Sequence, residues 1–228
     1  MTSQTSLNRI GAVGAIGGAI LLLVATSLHP LEADPNNPEA AFAEYAADDL
    51  WVATHLGQFF AIVAIAVGLI ALSDTLRQGR AEAWATLGRA GAIASVVAVA
   101  ALQAVDGIAL KFMVDRWAMS SPPQRDLVFE AAFGVRQIEV GLASLMSITF
   151  GLTVLAYGVA LAFSSYPRWL GWMAMLGGLA TVCGGVVLAY TGFSALAMGI
   201  SMPASIVVLI WMVAVGTYLW RSGLAEAQ

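Results

Sequence analysis

Six stretches of this chain carry almost no charge and are each close to the length that crosses a lipid bilayer. They are Ile10–Leu28, Leu50–Leu72, Ala90–Val114, Ile138–Phe163, Trp169–Phe193 and Ala204–Trp220. A hydrocarbon core of about 30 Å is spanned by about 20 helical residues at about 1.5 Å each. Backbone amides in lipid must find partners inside the segment, and these runs lack the alternation a barrel strand would need. The expected fold is therefore all-α, a six-helix transmembrane bundle forming a single domain over 1–228. Composition agrees: 60% of residues are hydrophobic and 11% charged, against about 45–50% and about 25% in soluble chains.

The remaining charge restricts partners and orientation. A net charge of −4 gives nucleic acid no electrostatic foothold. The lone Cys183 lies in an apolar run with no CxxC partner; it reads as a small core residue. The first run has 19 residues, longer than the roughly 7–15 of a cleaved signal's apolar region, so it is expected to stay as a span. Alternate connections collect Arg9, then Arg77, Arg80 and Arg89, then Arg168, then Arg221. The opposite set holds Lys111, Arg116, Arg125 and Arg136. The positive-inside rule then puts both termini in the cytoplasm (N-in/C-in). Trp51, Trp117, Trp169, Trp172 and Trp220 fall at interfacial depth, where indoles anchor spans.

Two outward connections carry structure of their own. Asn37 is placed to cap a short helix with Pro38 at its first position and Glu39 in its first turn. Phe42 and Tyr45 of that helix are expected on the membrane surface, and Asp48 or Asp49 is expected to cap the second span. From Gln124 an amphipathic outer segment leads into the fourth span, as one helix of about 40 residues or two joined near Gly134. Glycine marks helix contacts: Gly14 and Gly18 in the first span, and Gly171, Gly178, Gly185 and Gly192 with Gly177 and Gly184 in the fifth. Such stripes let backbones approach closely. Their expected use is packing inside the bundle, with a homo-oligomer contact or a lipid or cofactor slot as the other uses.

Ionisable groups in membrane spans are costly and so are candidates for function. His55 and Gln58 share a face of the second span, Gln103 and Asp106 a face of the third, and Arg136 and Glu139 a face of the fourth. His29 ends the first span. All fall in the outer leaflet, and the inner half shows no comparable set. They suggest an outward-facing polar pocket that binds a small ligand, ion or partner through His55, Gln58, Gln103, Asp106, Arg136 and Glu139. The alternative is an intramembrane enzyme with a divalent metal on His29, His55, Asp106 and Glu139, or a haem held by the two histidines. A simpler use of the same residues is an internal salt-bridge network, with Asp106 or Glu139 paired to Arg136 or Lys111.

The segment Tyr166-Pro167-Arg168-Trp169-Leu170-Gly171-Trp172, followed by Gly177-Gly178, resembles a family of bacterial multi-pass membrane proteins of unknown function. Ala131 to Gly141 (AAFGVRQIEVG) is similar to the same group. The resemblance implies a bacterial cytoplasmic (inner) membrane location and brings no activity or site residues.

Overall fold

The apolar runs become helices longer than a bilayer requires, and the excess gathers at one end. The computed structural model describes residues 3–225. Its helices are α1 (Ser3–Ser27), α2 (Pro38–Ala47), α3 (Trp51–Thr75), α4 (Gly79–Gln103), α5 (Lys111–Met119), α6 (Gln124–Ala162), α7 (Arg168–Thr191) and α8 (Ala195–Ala225). A π-helical segment, Ala104–Leu110, joins α4 to α5 without a break. No strand occurs among the described residues. Six helices are long and apolar enough to cross a membrane: α1, α3, α4 continued through α5, α6, α7 and α8. The protein is a multi-pass, all-α membrane bundle.

The spanning helices pack in chain order, α1 on α3, α3 on α4, α4 on α6, α6 on α7 and α7 on α8, and α8 returns to α1. The result is a closed ring. An even number of crossings puts residues 3 and 225 at one end, here the terminal end, and α2 at the other. At 39 residues, α6 is about 58 Å long and runs unbroken through Gly134, as a single helix. Its first turns, α5 and α2 share a small apolar core at the α2 end, built from Phe42, Tyr45, Trp51, Val114, Trp117 and Val128.

That core corrects the expectation for α2. Asn37 does cap it, accepting from the Ala40 amide at 3.3 Å, and Pro38 occupies its first turn. Phe42 and Tyr45, however, are buried rather than lying on the membrane surface. They pack on Trp117, Phe129 and Trp51. Asp48 accepts from the Leu50 amide and so shapes the turn into α3 without capping that helix, whose start has no side-chain cap. Cys183 is exposed on the outside of the bundle; the apolar run around it faces lipid there.

The glycine stripes are filled from within the chain. A Cβ at Gly178 would stand 2.7 Å from the Gly151 carbonyl and Leu155 amide of α6, and one at Gly18 would stand 2.8 Å from the Ala61 carbonyl of α3. Gly177 faces α8 through Val207 and Val208. These glycine faces pack against α3, α6 and α8 of the same chain. Gly192 leaves the stripe: at φ 61° it ends α7 in a conformation that suits glycine.

Small residues also admit large ones. Gly88 lies against the Tyr157 ring, which a Cβ would meet at 2.8 Å. The fully buried Tyr157 hydroxyl donates to the Leu69 carbonyl at 2.8 Å and bonds Ser73 Oγ at 2.7 Å. Gly178→Val is expected to lower stability by about 1–3 kcal/mol through overpacking. Gly141→Ala, whose Cβ meets nothing within 4 Å, should be neutral or raise it by up to about 1 kcal/mol. Thermal denaturation in detergent, comparing the two variants, measures both.

Candidate functional site

Three helices bring their polar pairs together beneath α2. His55 lies one turn inside α3, and Asp106 lies in the π-helical segment; His55 Nε2 is 3.1 Å from Asp106 Oδ2. Close approach of the two backbones depends on Gly107, where a Cβ would meet His55 Cβ at 2.5 Å. One turn deeper, Gln103 Nε2 donates to Gln58 Oε1 at 3.1 Å. On α6, Arg136 and Glu139 form a buried ion pair. His29 completes the group, its ring centre 5.1 Å from that of His55. The structure therefore assembles His29, His55, Gln58, Gln103, Asp106, Arg136 and Glu139 at the α2 end, as three side-chain pairs with His29 beside His55.

Trp51 ties the pairs together. Its backbone carbonyl accepts from His55 Nδ1 at 2.7 Å, and its indole Nε1 donates to the Asp106 carbonyl at 3.0 Å. Its ring packs at a tilt, with its centre 4.4 Å from that of His55 and 4.3 Å from that of Tyr45 of α2. Trp51 is thus not an interfacial anchor but the floor on which α2 rests. The spacing Trp51-x-x-x-His55 places both on one helical face, which is the signal in the sequence. Nothing local marks Tyr45, whose role depends on a turn that folds α2 back over α3.

Over this floor α2 closes the site. Arg136 lies between two rings, 5.5 Å from Tyr45 and 4.8 Å from Phe193, within cation–π range. Lys111 does not pair with Asp106 or Glu139. Its ammonium donates to the Tyr45 and Ala46 carbonyls at 3.0 Å each and to Asp115 at 2.8 Å. It thereby holds the C-terminal end of α2, where the helix dipole favours a cation. Glu44 accepts from the Glu32 and Ala33 amides, and Asn36 donates to the Phe193 carbonyl. The expected pocket is consequently covered for the most part: His55 and Glu139 are each 1% exposed, and the Asp106 side chain is 13% exposed.

Hydrogen counting shows what the closed site holds and what it lacks. The Trp51 carbonyl can only accept, so His55 Nδ1 carries hydrogen. One further hydrogen must lie between Nε2 and Asp106 Oδ2, because a lone pair facing a carboxylate oxygen is repulsive. The buried acceptors Asp106 Oδ1 and Gln103 Oε1 have no donor among the described residues. An unsatisfied buried acceptor costs about 1–3 kcal/mol.

The four residues considered for a metal do not form a ligand set. Glu139 is bound to Arg136, His29 Nδ1 to the Pro30 carbonyl and His55 Nδ1 to the Trp51 carbonyl. Among the described residues no group of three or more His, Cys, Asp or Glu is arranged to hold a metal ion. For haem, the indole of Trp51 lies 5.0 Å from His29 and 4.4 Å from His55, and it fills the space beside both rings.

The terminal end carries polar structure that was not expected there. Asp74 pairs with Arg77 and Arg89, and a cavity of about 500 Å3 beside it is lined by Asn8, Thr75, Tyr166 and Tyr218 among others. Read along the chain, Asp74 is a helix-end acid; only the α3–α4 turn brings Arg89 to it.

Burial pulls His29 below the ordinary histidine value, its bond to the Pro30 carbonyl opposing the shift in part. The unfolded chain therefore takes up this proton before the folded one. The stability gained by burying a neutral ring is present above about pH 6.5 and is lost as pH falls below it. His29→Gln should flatten the decline in melting temperature between about pH 7 and about pH 5; parallel declines would refute the assignment. Lys111→Met should cost about 1.5–3 kcal/mol and speed proteolytic cleavage within 38–47.

Compared with known proteins, the chain matches no family model, no curated protein and no solved structure.

Proposed function

We propose that this is a non-enzymatic protein of the bacterial cytoplasmic membrane that binds a small cation or hydrogen-bond donor beneath α2. In this reading both termini are cytoplasmic and the α2 end faces outward. The arginine distribution supports that orientation, and the sequence resemblance supports the membrane. Lipid surrounds the bundle, and nothing in its charge invites nucleic acid.

One observation carries the binding reading: Asp106 Oδ1 and Gln103 Oε1 are buried acceptors without donors, set beside a carboxylate and two aromatic rings. Such a setting suits a cation or an N–H or O–H donor, since a carboxylate and π-faces both favour positive charge. An anion would meet Asp106 and Glu139 with one guanidinium already paired to Glu139. The ligand must be small, because Tyr45 and Trp51 are in ring contact above the pair.

Purified protein melted with sodium, potassium, ammonium or methylammonium at constant ionic strength tests the reading. At least one cation should raise the melting temperature saturably, corresponding to a stabilisation of about 2.7 kcal/mol at a hundredfold excess over Kd. Asp106→Asn should abolish the effect. No saturable stabilisation by any of them, or the same stabilisation in Asp106→Asn, would overturn it.

A further inference from the structure

We propose that the cavity at the terminal end binds the headgroup of an aminophospholipid, a primary ammonium joined to a phosphate. It lies at the opposite end of the bundle from the cation site and does not depend on that reading. Four parts of the chain converge on it. They are the first turns of α1 with Asn8, the end of α3 with Asp74 and Thr75, the α6–α7 turn with Tyr166, and the last turns of α8 with Tyr218 and Ser222. Its volume of about 500 Å3 is that of a small-ligand pocket.

The chemistry of the ligand follows from where the lining groups send their hydrogens. Thr75 Oγ1 donates to the Leu72 carbonyl at 2.8 Å. The 3.0 Å bond between Thr75 and Tyr166 is therefore donated by the Tyr166 hydroxyl. Ser222 Oγ donates to the Tyr218 carbonyl at 3.0 Å. Each of these hydroxyls has committed its hydrogen to the protein and keeps only lone pairs. Asp74 adds a carboxylate whose side chain is 8% exposed. Its Oδ1 takes both Arg77 and Arg89, whereas its Oδ2 has no partner among the described residues. The rings of Tyr166 and Tyr218 meet edge to face beside these acceptors, 6.0 Å between centres. A primary ammonium carries three donors and no acceptor, and a carboxylate and aromatic faces both favour its charge.

A bare amine would meet too much positive charge here. Arg77 and Arg89 share one carboxylate, which leaves the trio net positive. Nη1 of each has no acceptor among the described residues, and a guanidinium with free donors suits a phosphate. Arg77 and Asp74 are bonded to each other, so the two charges of one short headgroup reach both. The cavity wall also meets the lipid boundary. Tyr218 packs on Trp169, 6.4 Å between ring centres, and Trp169 is exposed on the outside of the bundle, as an indole at headgroup depth is. A headgroup of the surrounding bilayer therefore reaches this end along the membrane surface. A purely anionic headgroup would set its phosphate against Asp74, and a trimethylated one has no N–H to donate.

The test varies the headgroup on one set of acyl chains. The full chain, purified in detergent, is titrated with dioleoyl phosphatidylethanolamine, phosphatidylcholine or phosphatidylglycerol, and native mass spectrometry counts the bound lipid. The ethanolamine lipid should bind about tenfold more tightly than the choline lipid, as one charge-assisted bond would supply, and more tightly than phosphatidylglycerol. In Asp74→Asn the amide oxygen still accepts from the arginines, but a donor replaces Oδ2. The preference for ethanolamine over choline should then fall to about twofold or less. A purely structural role of Asp74 would lower the melting temperature and leave that preference unchanged. If Asp74→Asn does not fold, Tyr166→Phe, which keeps the ring and removes the hydroxyl oxygen, should lower the preference in the same direction. Equal binding of the ethanolamine and choline lipids would overturn the proposal. So would tighter binding of phosphatidylglycerol, or an unchanged preference in whichever variant folds. Equimolar soluble phosphoethanolamine should leave the bound lipid in place; displacement would assign the site to a soluble amine phosphate and overturn the lipid source.

Discussion

A polar group at membrane depth has no water to turn to, so it must find its partner on another part of the same chain. That requirement sets most of the contacts that define this bundle. Gln103 reaches Gln58 across α4 and α3, Asp106 reaches His55 across the π-helical segment and α3, and Tyr157 reaches Leu69 and Ser73 across α6 and α3. Apolar packing between helices is nearly indifferent to the exchange of protein for lipid. The polar contacts are not, and they fix the register of α3 against its neighbours. Glycine provides the complement: Gly88 and Gly107 open space where Tyr157 and His55 must come close.

The wider turns of the π-helical segment fall where the third span meets the site. π-Bulges are rare and often occur at functional positions. Here the segment carries Asp106 and Gly107, so one carboxylate oxygen faces His55 while the backbone carbonyl of the same residue takes the Trp51 indole. Both bonds anchor the floor under α2. Closure of the site and pairing of its residues are thus the same structural event, because Trp51 takes part in each.

How much of this was legible in the chain depends on whether the cause was local. The six spans follow from length and hydropathy, and the gathering of the polar residues toward one end followed from depth along each helix. The Asn37–Pro38 start of α2 was readable because capping is a matter of a few neighbouring residues. Burial of Phe42 and Tyr45 was not, since an apolar face looks alike whether it meets lipid or protein. Lys111 could not be assigned to the end of α2, because its partners are backbone carbonyls that any sequence supplies. Arg89 reaches Asp74 only across the α3–α4 turn, and the same distance in sequence hid the terminal-end network. The π register left no trace in composition, as it changes hydrogen bonding without changing residue type.

Everything at the α2 end turns on one ring: His55 donates from Nδ1 to the Trp51 carbonyl and shares one hydrogen with Asp106 through Nε2. The chain has two histidines, so nitrogen-15 NMR of histidine-labelled protein in bilayers, with His29→Gln to assign the signals, observes this directly. At neutral pH His55 should show a protonated Nδ1 and a strongly hydrogen-bonded Nε2 whose signal changes in Asp106→Asn. A His55 ring with unprotonated Nδ1, or one whose signals ignore Asp106→Asn, would contradict it.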